Sequence, residues 1–181
     1  MKKRLVILGA PGAGKGTQAR KICELLAIPT FSTGAMLRAQ MQAGTELGNK
    51  AKELIDRGEL VPDSVISSLV EAELKTDRYR GGFLADGYPR NLEQARFLDQ
   101  VLKDMGTQLD AVINLDVNLE DVVGRLLKRA EIEHRSDDTE PVIRRRLQVY
   151  QEQTEPLVRY FREADLLINI DGNGSIDQVW D

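Results

Sequence analysis

Residues 9–17 read Gly9-Ala10-Pro11-Gly12-Ala13-Gly14-Lys15-Gly16-Thr17 and follow directly on the apolar run Leu5-Val6-Ile7-Leu8. A short apolar strand, a glycine-rich turn with the spacing Gly-x-x-x-x-Gly-Lys and an ensuing helix form a cradle for phosphate. The glycines let backbone N–H groups point inward, the helix N-terminus adds partial positive charge, and Lys15 reaches the outer phosphates. Gly16 stands where Ser or Thr is usual, and Thr17 follows one place later.

Outward from this loop, short apolar runs alternate with longer amphipathic segments, the pattern of a parallel sheet with helical crossovers. Strands are expected at Leu5–Leu8, Pro29–Ser32, Gly82–Ala85, Ala111–Leu115 and Leu166–Ile170, continuously apolar as strands covered on both faces require. Helices are expected near Gly14–Leu26, Gly34–Ala43, Glu46–Arg57, Asp63–Leu74, Leu92–Met105, Leu119–Lys128 and Glu140–Ala164. Start signals precede several of them: Thr33, Asp63 after Pro62, Asn91, Asn118 and Thr139. The fold class expected is α/β, a P-loop NTPase-like parallel five-stranded sheet with helices on both faces.

The 181 residues, without repeat, low-complexity tract or Pro/Ser-rich linker, fit one domain. The 25 Lys and Arg against 29 Asp and Glu give a net charge of −4, which argues against a nonspecific nucleic-acid binder. Of those cations 16 are Arg, whose planar fork suits bidentate contact with phosphate. A lone cysteine, Cys23, supports neither an internal disulfide nor a Cys-rich zinc site, so no structural zinc is expected. The apolar stretch after Met1-Lys2-Lys3-Arg4 is too short for a secretory signal, and none approaches a membrane span. A cytoplasmic protein without a membrane partner is the expectation.

The ordered combination of Gly9 to Gln18, Ser32-Thr33-Gly34-Ala35-Met36-Leu37-Arg38, Asp86-Gly87-Tyr88-Pro89-Arg90, Gln94 and the arginines between 125 and 146 resembles the adenylate kinases and other nucleoside monophosphate kinases. The resemblance spans essentially the whole chain, and the displaced Thr17 is normal in that family. It implies reversible phosphoryl transfer from ATP to AMP giving two ADP, with Mg2+ as cofactor. It also implies a core of residues 1–32, 62–128 and 139–181, an NMP-binding insert at 33–61, and a short lid at 129–138 without the cysteines of long-lid relatives.

On matching positions the resemblance places Lys15, Arg90, Arg125, Arg129, Arg135 and Arg146 around the transferring group. It assigns Gly12, Ala13, Gly14, Lys15, Gly16, Thr17, Arg129 and Gly174 to ATP. Thr33, Arg38, Glu59, Leu60, Val61, Gly87, Tyr88, Pro89, Arg90, Gln94, Arg135 and Arg146 fall to AMP. Asp86, at the C-terminal end of an expected strand, can orient Mg2+ through water; a turn-forming Asp before Gly87 is its bland reading. Arg125 and Arg129, spaced i, i+4, would by themselves be read as a solvated basic face. Arg144 and Arg145 are expected at the surface and His134 in solvent.

Gln94 both donates and accepts hydrogen bonds, which suits an adenine edge, and Thr33 has a hydroxyl where pyrimidine kinase relatives typically carry Ala. Asn91 is shared with UMP/CMP kinases, which keeps a pyrimidine acceptor as the alternative. Ala35 departs from the Asp the family commonly has. A regulatory nucleotide switch is the alternative of another class, and no Asn-Lys-x-Asp guanine-reading motif occurs. The partners expected are ATP, AMP and ADP, and the site looks complete in a monomer.

Overall fold

A computed structural model describes residues 3–59, 61–133 and 139–181. Five parallel strands, β1 (Arg4–Gly9), β2 (Thr30–Ser32), β3 (Phe83–Asp86), β4 (Ala111–Asp116) and β5 (Leu167–Asp171), form one sheet in the order β2-β3-β1-β4-β5. Leu5, Val6, Ile7 and Leu8 are almost wholly buried because β1 is central and covered on both faces. After β1 the chain runs to one edge, and after β4 to the other. Their connections diverge beside the end of β1, the point where open α/β sheets gather ligands.

One face of the sheet packs on α4 (Asp63–Leu74), α5 (Leu92–Asp104) and α8 (Pro156–Glu163) through Val70, Leu98, Leu102, Leu157 and Phe161. The same cluster takes in Leu37 of α2 (Thr33–Gln42) and Ala51 of α3 (Glu46–Asp56), which seats the insert. The other face packs on α1 (Lys15–Leu26) through Ala19 and Cys23, with Val179 of α9 (Ile176–Trp180) beside them. A third cluster, Val122, Leu126 and Ile143, joins α6 (Leu119–Glu133) to α7 (Glu140–Val149). No helix among the described residues is long and apolar enough to cross a membrane.

Three differences from the sequence expectations have physical causes. The single helix expected over Glu140–Ala164 is broken into α7, a π-turn at Tyr150–Thr154 and α8. Pro156 has no N–H and its ring crowds the carbonyl four residues back, so the chain widens and Glu155 N–H donates to Tyr150 O at 2.8 Å instead. Helix α6 continues through Glu133, so Arg129 stands on a helix rather than in an irregular stretch. Strand β5 is covered on both faces less well than a continuous apolar run predicts: Ile168 is 45 % exposed, because β5 is the sheet edge and α9 is five residues long.

Candidate active site

The loop between β1 and α1 turns through Gly9, Gly12 and Gly14, all at positive φ. Gly12 is the position with least room, for at φ 81° a Cβ would lie 2.8 Å from Leu126 Cγ. Gly14 precedes α1 without a side chain to cap it, so amides of the first turn are left for a ligand. The Lys15 ammonium folds back under the loop and donates to Gly9 O at 2.9 Å and Ala10 O at 3.1 Å. Burial pushes its pKa down to about 8; Asp86 opposes that shift, while Arg90, Arg146 and Arg129 add to it. The same burial and the nearby guanidiniums make an anion beside Lys15 favourable.

A cleft of about 350 Å³ lies above this loop, lined by Gly12, Gly14, Lys15, Gly16 and Thr17 with Arg38, Asp86, Arg90, Arg125, Arg129 and Arg146. These five arginines, from three helices (α2, α6 and α7) and the loop after β3, therefore face one small space. Asp86 is the carboxylate in the lining, at the end of β3 and across from the start of α1. One carboxylate beside the Thr17 hydroxyl and room for phosphate oxygens is the donor set that suits Mg2+, which keeps several waters and takes few protein ligands.

Adjoining this cleft is a second hollow whose lining includes Thr33, Arg38, Glu59, Val61, Gly87, Arg90, Gln94 and Arg146. Arg38, Arg90 and Arg146 border both spaces. Arg90 is anchored on three sides. Its N–H donates to Gln94 Oε1 at 2.7 Å, its Nε–H donates to Gly87 O at 2.8 Å, and its carbonyl accepts from the Thr154 hydroxyl at 2.6 Å. Gly87 O also accepts from the Thr33 hydroxyl at 3.0 Å, tying the start of α2 to the same turn.

Not every residue singled out in the sequence lines these spaces. Ala13 is buried beneath the loop, and Tyr88 is buried against the edge of Phe31. The Tyr88 hydroxyl donates to Gln94 O at 3.2 Å, and burial pushes its pKa up to about 12, so it holds the turn as a neutral phenol. Pro89 borders a smaller hollow with Lys15, Tyr150 and Thr154. Gly174 lies in the loop after β5; Arg125 grips that loop by donating to Gly172 O at 3.3 Å and Asn173 O at 3.2 Å. Leu60, Arg135 and His134 lie outside the described residues, as does the second half of the expected lid, 134–138. Ser32, not Thr33, caps α2, accepting from Ala35 N–H at 3.3 Å, so the helix start does not need the Asp that Ala35 replaces.

Sequence reasoning passed over three participants. Thr154 sits in the π-turn that Pro156 causes, and only that proline hinted at it. Arg145, expected at the surface, reaches Glu59 with Nε at 2.8 Å and so ties the segment after α3 to α7, where Gly58 lies so near that a Cβ would sit 3.1 Å from Val142 O. Asp63, taken only as a helix start, accepts from both Asn91 and Gln94. Arg144, by contrast, pairs with Glu140 on the exposed surface as expected.

Comparison with known proteins bears on the chemistry of this cleft. The family model described as Adenylate kinase matches residues 7–166. The chain is 51 % identical over 176 residues to an adenylate kinase of Thermobifida fusca, covering 97 % of this chain and 93 % of that protein. It is 49 % identical over 176 residues to one of Nocardioides sp. (97 % and 92 %), and 43 % identical over 204 aligned positions to one of Thermodesulfovibrio yellowstonii (98 % and 95 %).

Proposed function

The chain belongs to the adenylate kinase family and transfers phosphoryl from ATP to AMP, and from that premise we propose how its own residues divide the work. The observation that carries the assignment is the pair of adjoining hollows sharing Arg38, Arg90 and Arg146. ATP lies with its phosphates in the larger cleft, cradled by the amides of Gly12–Thr17 and by Lys15. AMP lies in the smaller one, with Thr33, Glu59, Val61 and Gly87 about the nucleoside and Gln94 at the base. Leu60 and Arg135 keep their expected roles at the acceptor.

In the forward step an oxygen of the AMP phosphate attacks the γ-phosphorus of ATP in line. The bond to the β,γ-bridging oxygen breaks and its electron pair leaves on ADP. The attacking oxygen carries no proton, so no general base is needed; catalysis is positioning and charge stabilisation. Arg90, Arg129 and Arg146 converge on the equatorial oxygens of the group in flight, and Lys15 follows the charge that develops on the β-phosphate. Arg125, holding the Gly172–Asn173 carbonyls, keeps the loop with Gly174 beside the ATP base. Asp86 and Thr17 fit a water-clad Mg2+, which when bound supplies neutralisation of the β- and γ-phosphate oxygens.

The functional division into core, insert 33–61 and lid 129–138, action as a monomer and a cytoplasmic setting complete the proposal. A monomer is supported by a cleft whose lining comes from one chain, and the setting rests on the nucleotide substrates. Against the pyrimidine alternative stands Asn91: its Oδ1 accepts from Gln94 N–H at 2.9 Å to cap α5, and its amide nitrogen donates to Asp63. It serves the helix start rather than a base.

The test is a coupled assay with ATP, Mg2+ and each monophosphate in turn, run beside Arg90→Ala. AMP turns over fastest, and Arg90→Ala lowers the rate by at least about 100-fold, the scale for losing one transition-state charge contact, with the fold intact. Faster turnover of UMP or CMP overturns the acceptor assignment, and a near-normal Arg90→Ala overturns the role of Arg90.

A further inference from the structure

We infer that Asp63 is a specificity-determining residue: by fixing which way round the Gln94 amide points, it makes the acceptor site accept a 6-amino purine and reject a 6-oxo purine. The inference rests on the proposed placement of the acceptor base at Gln94 and goes beyond it.

Gln94 is 2 % exposed and borders the acceptor hollow. Its two ends face partners of opposite kind. Oε1 accepts from Arg90 N–H at 2.7 Å, and Nε2 donates to Asp63 Oδ1 at 2.6 Å. A backbone N–H can only donate and a carboxylate can only accept, so the chemistry of these partners, not electron counting at the amide, sets its sense. Turning the amide over would set N–H against N–H and oxygen against carboxylate.

Asp63 is itself held in place. It opens α4 after Pro62, and the Asn91 amide nitrogen donates to its Oδ1 at 2.9 Å and its Oδ2 at 3.1 Å. Asn91 cannot turn either, since its oxygen caps α5. Two arms of donors thus converge on the Asp63 carboxylate, one from Gln94 N–H through Asn91 and one from Arg90 N–H through the Gln94 side chain, and both amides are fixed by that convergence.

An amide oxygen has two lone pairs and its nitrogen two protons, so each end keeps one further position after these bonds. A fixed sense presents an acceptor at Oε1 and a donor at Nε2. Adenine matches it, with its 6-amino group donating and N1 accepting. Hypoxanthine and guanine present the inverse, an oxygen at C6 and a proton on N1. Cytosine shares the sense of adenine and uracil that of hypoxanthine. A site that leaves buried polar groups facing like groups rejects a ligand far more strongly than one that merely lacks a contact. Arg90 N–H alone would bias the amide, but Asp63 contributes the charged partner, and hydrogen bonds to charged groups are the stronger ones.

The experiment compares kcat/KM for AMP and IMP, and for CMP and UMP, in the native enzyme, Asp63→Asn, Asp63→Glu and Gln94→Leu. In Asp63→Asn the AMP-to-IMP ratio falls by at least about tenfold, the scale for loss of a charged hydrogen bond, and the CMP-to-UMP ratio moves the same way. Asp63→Glu, which still can only accept, retains more of the ratio. A purely structural role would lower AMP and IMP turnover together and leave the ratio alone. If Asp63→Asn does not fold, Asp63→Ser gives the same comparison, since serine suits a helix start and its hydroxyl both donates and accepts. Gln94→Leu separates the two ideas. A native ratio in that variant means the base is not read at Gln94; a collapsed ratio there with a native ratio in the Asp63 variants overturns the role of Asp63 alone.

Discussion

Nucleotide binding should draw a proton onto Lys15. In the nucleotide-free protein burial, helped by Arg90, Arg146 and Arg129 and opposed by Asp86, holds the pKa of this ammonium down to about 8, below its ordinary 10.5. A triphosphate laid over the loop brings negative charge within reach and restores the pKa toward its ordinary value. The sign follows from linkage: between pH 8 and 10.5 the complex holds more protons than the free protein, so affinity falls as pH rises through that window and is independent of Lys15 well below it. With the pKa moving from about 8 to about 10.5, the uptake at pH 9 is roughly 0.9 proton, and affinity drops by about an order of magnitude between pH 8 and 9.5. ATP suits the measurement because its phosphates are fully ionised there. Calorimetric titrations at pH 9 in two buffers of different ionisation enthalpy read the uptake directly, with Lys15→Met as control. Uptake near zero in the native protein, or equal uptake in Lys15→Met, refutes the reasoning.

Two further perturbations probe the supports of the cleft. Thr154→Val removes the hydroxyl that donates to Arg90 O, a loss of about 0.5–1.5 kcal/mol in a denaturant melt. Because Arg90 is then held by fewer bonds, kcat falls about tenfold or more while the KM for ATP changes little, and Thr154→Ser retains most activity; kcat within twofold of native in Thr154→Val contradicts the anchoring role. Gly12→Ala forces a Cβ to within 2.8 Å of Leu126 Cγ at a left-handed φ, costing about 1–3 kcal/mol and weakening ATP binding together with stability. An unchanged melting temperature in that variant would mean that the loop and α6 yield without cost.

The phosphate loop, the five strands and the helical insert were legible because each rests on local chemistry: glycine where the backbone must turn left, apolar runs where a strand is covered twice, and Asn91 as a cap. Of the arginines singled out by resemblance, Arg38, Arg90, Arg125, Arg129 and Arg146 line one cleft at the ends of β1 and β3, and Arg135 lies outside the described residues. What escaped was contact at long range. Thr154 is 64 residues from the carbonyl it holds and Asp63 is 31 from Gln94, and no local pattern announces either pairing. The break after Val149 was signalled by Pro156, but the amphipathic pattern runs straight through it and masked the signal.

Arg145 and Arg146 are neighbours on one turn of α7, yet they serve different parts of the molecule. Arg145 is fastened to Glu59 in the segment between α3 and α4, and Arg146 borders both hollows. A single peptide unit of α7 thus joins the residue that holds Glu59 to one that lines both hollows, so a substitution at either position bears on its neighbour.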